Sequence, residues 1–480
     1  MTAILSTSPS RLSVVDPYLG TTLTDLPMLS PADADRALDA AWQRHSTRER
    51  WLKPHERRRY LEALLGALEK DSESLAVQAT HEGGKPIADS RVEVARGLEG
   101  LRETIRILCH RSGRVIPMGH TEGSAPYRAT TQFEPRGVVL AIGAFNHPFN
   151  IIVHQLAPAL AAGCPILLKP SLDTPLSCLA LVERLHRLGI GEDQCKVLLC
   201  DNATTAKLAA DPRVSFVHFV GSAAVGWQLR RNLAPGSECA LEHGGAAPVI
   251  LDRGYPFETI LPALVRSGFY HAGQVCISTQ RIFVHRSDFR AFTAAFCAVT
   301  AAVTVGDPLQ AQTLVGPMIR SAEVERIHDW VQRAAREGAQ LACGGCVLGN
   351  NLYSPTVLIE PPATAKVSQD EVFAPVVCLY AYDHLGEAVA RANAVRYAFH
   401  SSFFSRDIDR ADWVSRHLEA SALLINETPA FRVDWMPFGG YRDSGVGSGD
   451  FGGTIAQFSR EKLIIQRIGS TSGTDQTLDT

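Results

Sequence analysis

The chain has 480 residues, 45% hydrophobic and 20% charged, with 47 basic against 50 acidic side chains and a formal net charge of −3. That is enough chain for two or three domains with large cores of their own, and the near-neutral balance excludes a whole-chain case for nucleic-acid or membrane-surface binding. No apolar run has the length of a membrane span, the opening MTAILSTSPSR has neither the basic nor the apolar stretch of a secretory signal, and eleven scattered cysteines read as reduced thiols of a cytoplasmic protein.

Residues 31–110 carry helical periodicity, strongest over 34–43, 54–69 and 91–109. The period then changes: 128–134 alternates as a strand, and 137–142 is a short apolar strand. From there strands and helices alternate, with helix 151–162, strand 165–169, helix 175–188, strand 196–199, helix 203–210 and strand 214–220. Alternation at this spacing predicts a doubly wound parallel sheet, which binds ligands at the carboxyl ends of its strands. A second α/β set follows Gly244-Gly245, a hinge-like pair. Its strands are 248–251, 281–284 and 376–381, and its helices 260–270, 289–303, 322–337 and 385–394. Residues 462–467 form a terminal strand with nothing beside it in sequence; it has to pair with something, which points to a partner subunit. The tail 469–480, rich in Ser, Thr, Asp and Gly, reads as a mobile low-complexity segment. No repeat of solenoid period is present.

Two residues invite chemistry. Cys276 ends the run Gly273-Gln274-Val275-Cys276 after an apolar helix, and Glu242 lies at the junction between the two α/β sets, in Leu241-Glu242-His243-Gly244-Gly245. A thiolate is a strong nucleophile for carbonyl carbon, and a nearby glutamate can deprotonate water. Alone, each is uninformative, because a cysteine is most often a small core hydrophobe.

With their surroundings they match a family. Seven motifs stand in the family's order: Ala144-Phe145-Asn146-His147-Pro148, Leu168-Lys169-Pro170-Ser171, Phe219-Val220-Gly221-Ser222, the Glu242 and Cys276 motifs above, Asp370-Glu371-Val372-Phe373-Ala374-Pro375 and Pro437-Phe438-Gly439-Gly440. On these the chain resembles the aldehyde dehydrogenase superfamily, non-acylating and NAD(P)-dependent, from about residue 14 to 468. The resemblance implies two doubly wound α/β domains plus a small β oligomerisation element. The nucleotide-binding domain would take 1–112 and 136–243, the catalytic domain 244–453, and the oligomerisation element with the tail 113–135 and 454–480. A homodimer or homotetramer would result.

The resemblance also implies roles. Cys276 would attack the aldehyde, and Asn146 with the Cys276 backbone N–H would hold the oxyanion. Glu242 would activate the water that hydrolyses the thioester. Lys169 and Ser171 would hold the adenosine ribose of NAD or NADP. Gly221-Ser222 would open a helix towards the pyrophosphate. Glu371 would bond the nicotinamide ribose, with Phe373 packed beside it.

Several positions depart from the family pattern. Leu172 stands where a glutamate commonly grips both ribose hydroxyls, which leaves NAD against NADP open. Cys200 and Asn202 replace a Gly-rich turn, Ala246 replaces a lysine, Phe145 a tryptophan, and His243 an apolar residue. None of these removes a reacting group.

The segment Ala430–Phe438 and Asn146-His147-Pro148 are similar to the lactaldehyde and phosphonoacetaldehyde dehydrogenase-like branch. There Arg96, His147 and Arg432 would bind a small anionic or hydroxylated aldehyde; the competing reading makes both arginines inter-element ion pairs. Val275, just before the nucleophile, offers no polar contact. Cys343-Gly344-Gly345-Cys346 spells CxxC without a second pair at zinc spacing, and reads as a turn rather than a metal site. The alternatives to this function are a CoA-acylating enzyme, against which Glu242 argues, a thiol esterase, and a non-catalytic nucleotide-binding relative.

Overall fold

The computed structural model describes residues 10–468; the low-complexity tail and the first nine residues lie outside them. Helices Pro54–Lys70 and Ile87–His110 pack their apolar stripes against the helix Asn150–Ala162, and Ser72–Gly83 packs against Ile87–His110 and Leu176–Arg187. Ahead of them an antiparallel hairpin, Arg11–Val15 with Thr22–Pro27, was not legible in the sequence.

The first large sheet has six strands in the order Gly445–Val446, Glu238–Glu242, Val214–Val220, Val138–Ile142, Ile166–Lys169, Cys195–Val197. Its last five are parallel. Val138–Ile142 is buried at every position, as a strand covered on both faces must be. The chain winds outward from it in one direction and then the other, so the crevice between Val138–Ile142 and Val214–Val220 is a topological switch point.

The second sheet has seven strands in the order Gln340–Cys343, Thr356–Ile359, Val376–Tyr382, Thr279–His285, Ala247–Leu251, His400–Phe404, Ala422–Ile425. All pair in parallel except the edge strand Gln340–Cys343. Four of the seven escaped the sequence analysis. His400–Phe404 shows why: HSSFF is fully buried, yet three polar residues break the apolar run that marks a buried strand.

The terminal strand corrects an expectation. Ser459–Arg467 pairs along nine residues with Tyr127–Pro135 of the same chain, and Val115–Ile116 adds a third strand. Its backbone is therefore partnered internally, and the need for a second subunit does not follow from it. Gly344 and Gly345 both hold positive φ, 76° and 78°, so the CxxC segment is a tight turn.

Candidate active site

The two large sheets meet end to end. Strand Glu238–Glu242 runs through His243–Ala246 into Ala247–Leu251. The carboxyl ends of the first sheet and the amino ends of the second thus border one cavity of about 910 Å³. Every residue expected from the sequence lines it: Cys276, Glu242, Asn146, Lys169, Ser171, Gly221, Ser222, Glu371, Phe373, His147, Arg96 and Arg432.

Cys276 lies just ahead of strand Thr279–His285, on a loop whose residues His271, Ala272 and Gly273 all take left-handed φ of 49°, 54° and 67°. Its Sγ is 3.4 Å from Glu242 Oε1 and donates to it. Burial pushes the thiol well up, and the carboxylates of Glu242 and Glu371 push it further. Cys276 is therefore a neutral thiol already in contact with a carboxyl group. Burial likewise raises the Glu242 carboxyl, with the Arg432 guanidinium opposing. A carboxyl raised above its ordinary range holds a proton more readily than an exposed one.

Asn146 is buried on the loop after Val138–Ile142, and its Nδ2 donates to the Gln274 carbonyl at 2.9 Å. An amide nitrogen carries two N–H groups. One bond fixes the plane and leaves the other N–H for an oxyanion. The Cys276 backbone N–H has no backbone partner among the described residues, so two donors are free beside the thiol.

The rest of the cavity fits a dinucleotide. Helix Ala223–Arg231 begins at the carboxyl end of strand Val214–Val220, and its N-cap Ser222 makes no side-chain cap bond. The first-turn amides and the Ser222 hydroxyl face the cavity with the helix dipole behind them. Lys169 Nζ donates to Asn202 Oδ1 at 3.3 Å, so Asn202 occupies part of the role an acidic neighbour would have. Ser171 Oγ donates to Asp173. Glu371 Oε1 is buried without a partner, and burial pushes that carboxyl up to about 8. An orphaned acceptor in a cleft is what a ribose hydroxyl would satisfy. Gly244 permits this placement, since a Cβ there would fall 1.8 Å from the Glu371 carboxyl. Phe373 meets Phe145 edge-on at 5.7 Å.

His243 packs rather than tunes its neighbour. Its Nδ1 bonds the Asp443 carbonyl at 2.9 Å, its ring meets Trp227 edge-on at 5.1 Å, and a Cβ on Gly226 would collide with its Nε2.

At the other end the two arginines differ. Arg96 forks onto Asp434 at 2.8 and 3.1 Å, an inter-element ion pair of the kind weighed against substrate binding. Arg432 lies over the Phe438 ring at 3.5 Å, only 6% exposed, and its nearest carboxylate is Asp434 at 3.7 Å. Its Nη1 is buried without a hydrogen-bond partner. Burial and the neighbouring Arg96 lower its pKa to about 10. Sequence reasoning missed Asp434 and His154, whose Nε2 lies 2.9 Å from the Asp434 carboxylate. It also missed Lys85 and Glu93 behind His147. The available signal was a lysine beside the helix and acidic residues set among buried apolar ones at 87–98.

A switch-point cleft walled by a helix N-terminus and leading to a thiol fits a nicotinamide-dependent oxidoreductase. The profile of the aldehyde dehydrogenase family matches residues 4–464, and the chain belongs to that family. It is 33% identical to 3-sulfolactaldehyde dehydrogenase of Priestia megaterium over 96% of this chain and 95% of that one. Its fold is similar to aldehyde dehydrogenase 21 from Physcomitrella patens in complex with the reaction product succinate, at TM-score 0.92 and 31% identity, covering 97% of each chain. It is also similar to glyceraldehyde-3-phosphate dehydrogenase from Methanocaldococcus jannaschii complexed with NADP, at TM-score 0.90 and 30% identity, covering 95% of this chain and 99% of that one. The protein is an aldehyde-oxidising oxidoreductase that uses NAD or NADP. No helix among the described residues is long and apolar enough to cross a membrane.

Proposed function

We propose that Cys276, Glu242 and Asn146 carry the oxidation, and that the substrate is a small aldehyde with an anionic or hydroxylated far end. The observation that carries the substrate class is the buried, unpartnered Nη1 of Arg432 in the wall beside the nucleophile. A guanidinium N–H without an acceptor is costly in a dry site. A carboxylate, sulfonate or phosphonate would satisfy it, and a guanidinium forks well onto each. The names of the relatives agree, carrying a sulfonate, a dicarboxylate product and a phosphate.

The thiol proton passes from Cys276 to Glu242, and sulfur bonds to the carbonyl carbon. The oxygen takes the electron pair, held by Asn146 Nδ2–H and the Cys276 N–H. Lys169, Ser171, Gly221, Ser222, Glu371 and Phe373 would hold the dinucleotide, which would supply the hydride acceptor for that carbon. The carbonyl re-forms as a thioester on Cys276. Glu242, once deprotonated again, takes a proton from water as its oxygen attacks the thioester. The carbon–sulfur bond breaks, the thiolate is reprotonated and the carboxylic acid leaves. Because Glu242 already touches the thiol, water has a base at the acyl carbon, which favours hydrolysis over transfer to CoA.

Division into a nucleotide-binding domain (1–112, 136–243), a catalytic domain (244–453) and an oligomerisation element (113–135, 454–480) belongs to the same reading, with one qualification. Gly445–Val446 crosses back to join the first sheet. Exposed Val115, Leu463 and Ile465 on the three-stranded sheet support a homodimer or homotetramer. A cytoplasmic location belongs to the proposal as well.

The test is reduced-nicotinamide absorbance with lactaldehyde, succinate semialdehyde, phosphonoacetaldehyde, glyceraldehyde 3-phosphate, propanal and benzaldehyde. Each is run with NAD and with NADP, beside a Cys276→Ala control. An anionic or hydroxylated aldehyde should exceed propanal in kcat/KM by about tenfold or more. Equal turnover of propanal would remove the substrate class while leaving the enzyme.

A further inference from the structure

Behind the cavity wall lies an ion pair that the reaction does not use. Lys85 and Glu93 are 1% and 2% exposed and joined in a salt bridge. Burying such a pair is costly to both ions, so what else it holds is informative. The other oxygen of Glu93 accepts the backbone N–H of Phe149 at 2.9 Å and of Asn150 at 3.0 Å. These are the opening residues of helix Asn150–Ala162, directly after the Asn146-His147-Pro148 loop. Donors alone surround that carboxylate, so its partner is an ammonium.

The Lys85 Nζ makes a second contact, to His147 Nδ1 at 2.9 Å. An ammonium has donors and no acceptor, so Nδ1 must offer its lone pair. A neutral imidazole carries one N–H, which is then on Nε2. Glu93 Oε2 is 4.0 Å from Nδ1, beyond a hydrogen bond, and gives no competing acceptor for a proton there. His147 lines the cavity, and its Nε2 bonds no protein group among the described residues. We propose that the buried Lys85–Glu93 pair is a positioning unit that locks His147 as a neutral Nε2–H donor, aimed at the polar far end of the aldehyde. This rests on the substrate class proposed above.

The groups facing His147 keep it in that state. Burial, with the charges of Lys85, Arg96 and Arg432, holds its pKa well below the usual histidine range, and the neighbouring His271 is itself kept neutral by burial. The donor is therefore the same on either side of neutral pH, and the site reads a substrate oxygen without titrating.

The direct test needs no substrate. In holoenzyme labelled with ¹⁵N-histidine, with the His147 signals assigned from the His147→Gln difference spectrum, Nδ1 should be pyridine-like and Nε2 pyrrole-like. A pyrrole-like Nδ1 overturns the proposal. The kinetic test uses the anionic aldehyde of highest turnover, with propanal as control. In His147→Gln the amide reaches the Nε2 position and still donates. In His147→Asn it reaches only Nδ1, so the bond to Lys85 survives and the donor is lost. We expect KM for the anionic aldehyde, relative to that for propanal in the same variant, to stay within about threefold of the parent ratio in the first and to rise about tenfold in the second, the scale of a lost hydrogen bond to a charged group. An equal ratio in the two variants overturns the proposal.

Lys85→Met/Glu93→Gln removes both charges without leaving either ion alone, so folding is not the question asked. In that variant the two ring nitrogens of His147 should lose the separate pyridine-like and pyrrole-like signals of the parent and move towards a mixed-tautomer average. Signals unchanged from the parent refute the lock. A panel without preference for anionic or hydroxylated aldehydes, beside a pyridine-like Nδ1, would remove the substrate reading and leave the lock.

Discussion

Arg432→Met is the most informative single change. It keeps the apolar stem over Phe438 and removes only the charge. Asp434 loses little, because Arg96 forks onto it and His154 bonds it. What is lost is the buried Nη1 donor and the cation beside Glu242 and Cys276. A hydrogen bond to a charged group contributes about 1.5–3 kcal/mol. At about 1.4 kcal/mol per tenfold, kcat/KM for an anionic aldehyde should fall about 10- to 150-fold. Propanal has no group to lose and should change less than about threefold at alkaline pH. A second effect acts on both substrates. Burial raises the Glu242 carboxyl and Arg432 opposes it, so removing the cation raises it further. The ionised base then forms only at higher pH, and the acid limb of kcat should move upward. The assay is reduced-nicotinamide absorbance against pH for both aldehydes. Equal losses for the two, or an acid limb that stays in place, would refute the reasoning.

Other outcomes follow from the same geometry. Glu242→Gln should keep a burst of reduced nicotinamide near one per subunit while steady turnover falls at least about 100-fold, because thioester hydrolysis loses its base; equal loss of burst amplitude and turnover would count against that role. In the same variant the burst should be slower than in the parent and should quicken as pH rises, because the thiol has lost the carboxylate that takes its proton. Asn146→Ala should slow the burst by about 100- to 1,000-fold with little change in KM, the cost of one oxyanion donor; stopped-flow absorbance decides. Glu371 is neutral when buried, with a pKa of about 8 against 4.5 in the unfolded chain. The folded state thus binds its proton more tightly, and that stability is present below about pH 4.5 and lost as pH rises through about pH 8. Glu371→Gln should therefore raise the Tm of the nucleotide-free enzyme at pH 8.5 relative to pH 6, compared with the parent, while weakening nucleotide binding. A Tm difference that does not grow with pH would contradict the burial of that carboxyl.

Sequence and structure divided the work unevenly. The two windings were legible because Val138–Ile142 and Val376–Tyr382 are continuous apolar runs and their flanking helices keep a 3.6-residue period. Strands with mixed patterns were not: His400–Phe404 buries two serines and a histidine, and Glu238–Glu242 carries its base at a strand end. The seven motifs marked Cys276, Glu242 and Asn146 because their chemistry is written in residue type and order.

Sequence by itself therefore determined the class of fold, the family and the kind of cofactor. Only the tertiary structure decided their partners. It set Glu242 against the Cys276 thiol, gave Arg96 to Asp434 while leaving the Nη1 of Arg432 without a hydrogen-bond partner, and returned the terminal strand to its own chain. It also buried Lys85 and Glu93 behind His147. These contacts join residues such as Lys85 and Glu93, 8 apart in sequence, and Arg96 and Asp434, 338 apart, and are set by how helices and strands pack. A one-dimensional pattern records which groups exist and their local period, but not which distant acceptor each donor will meet.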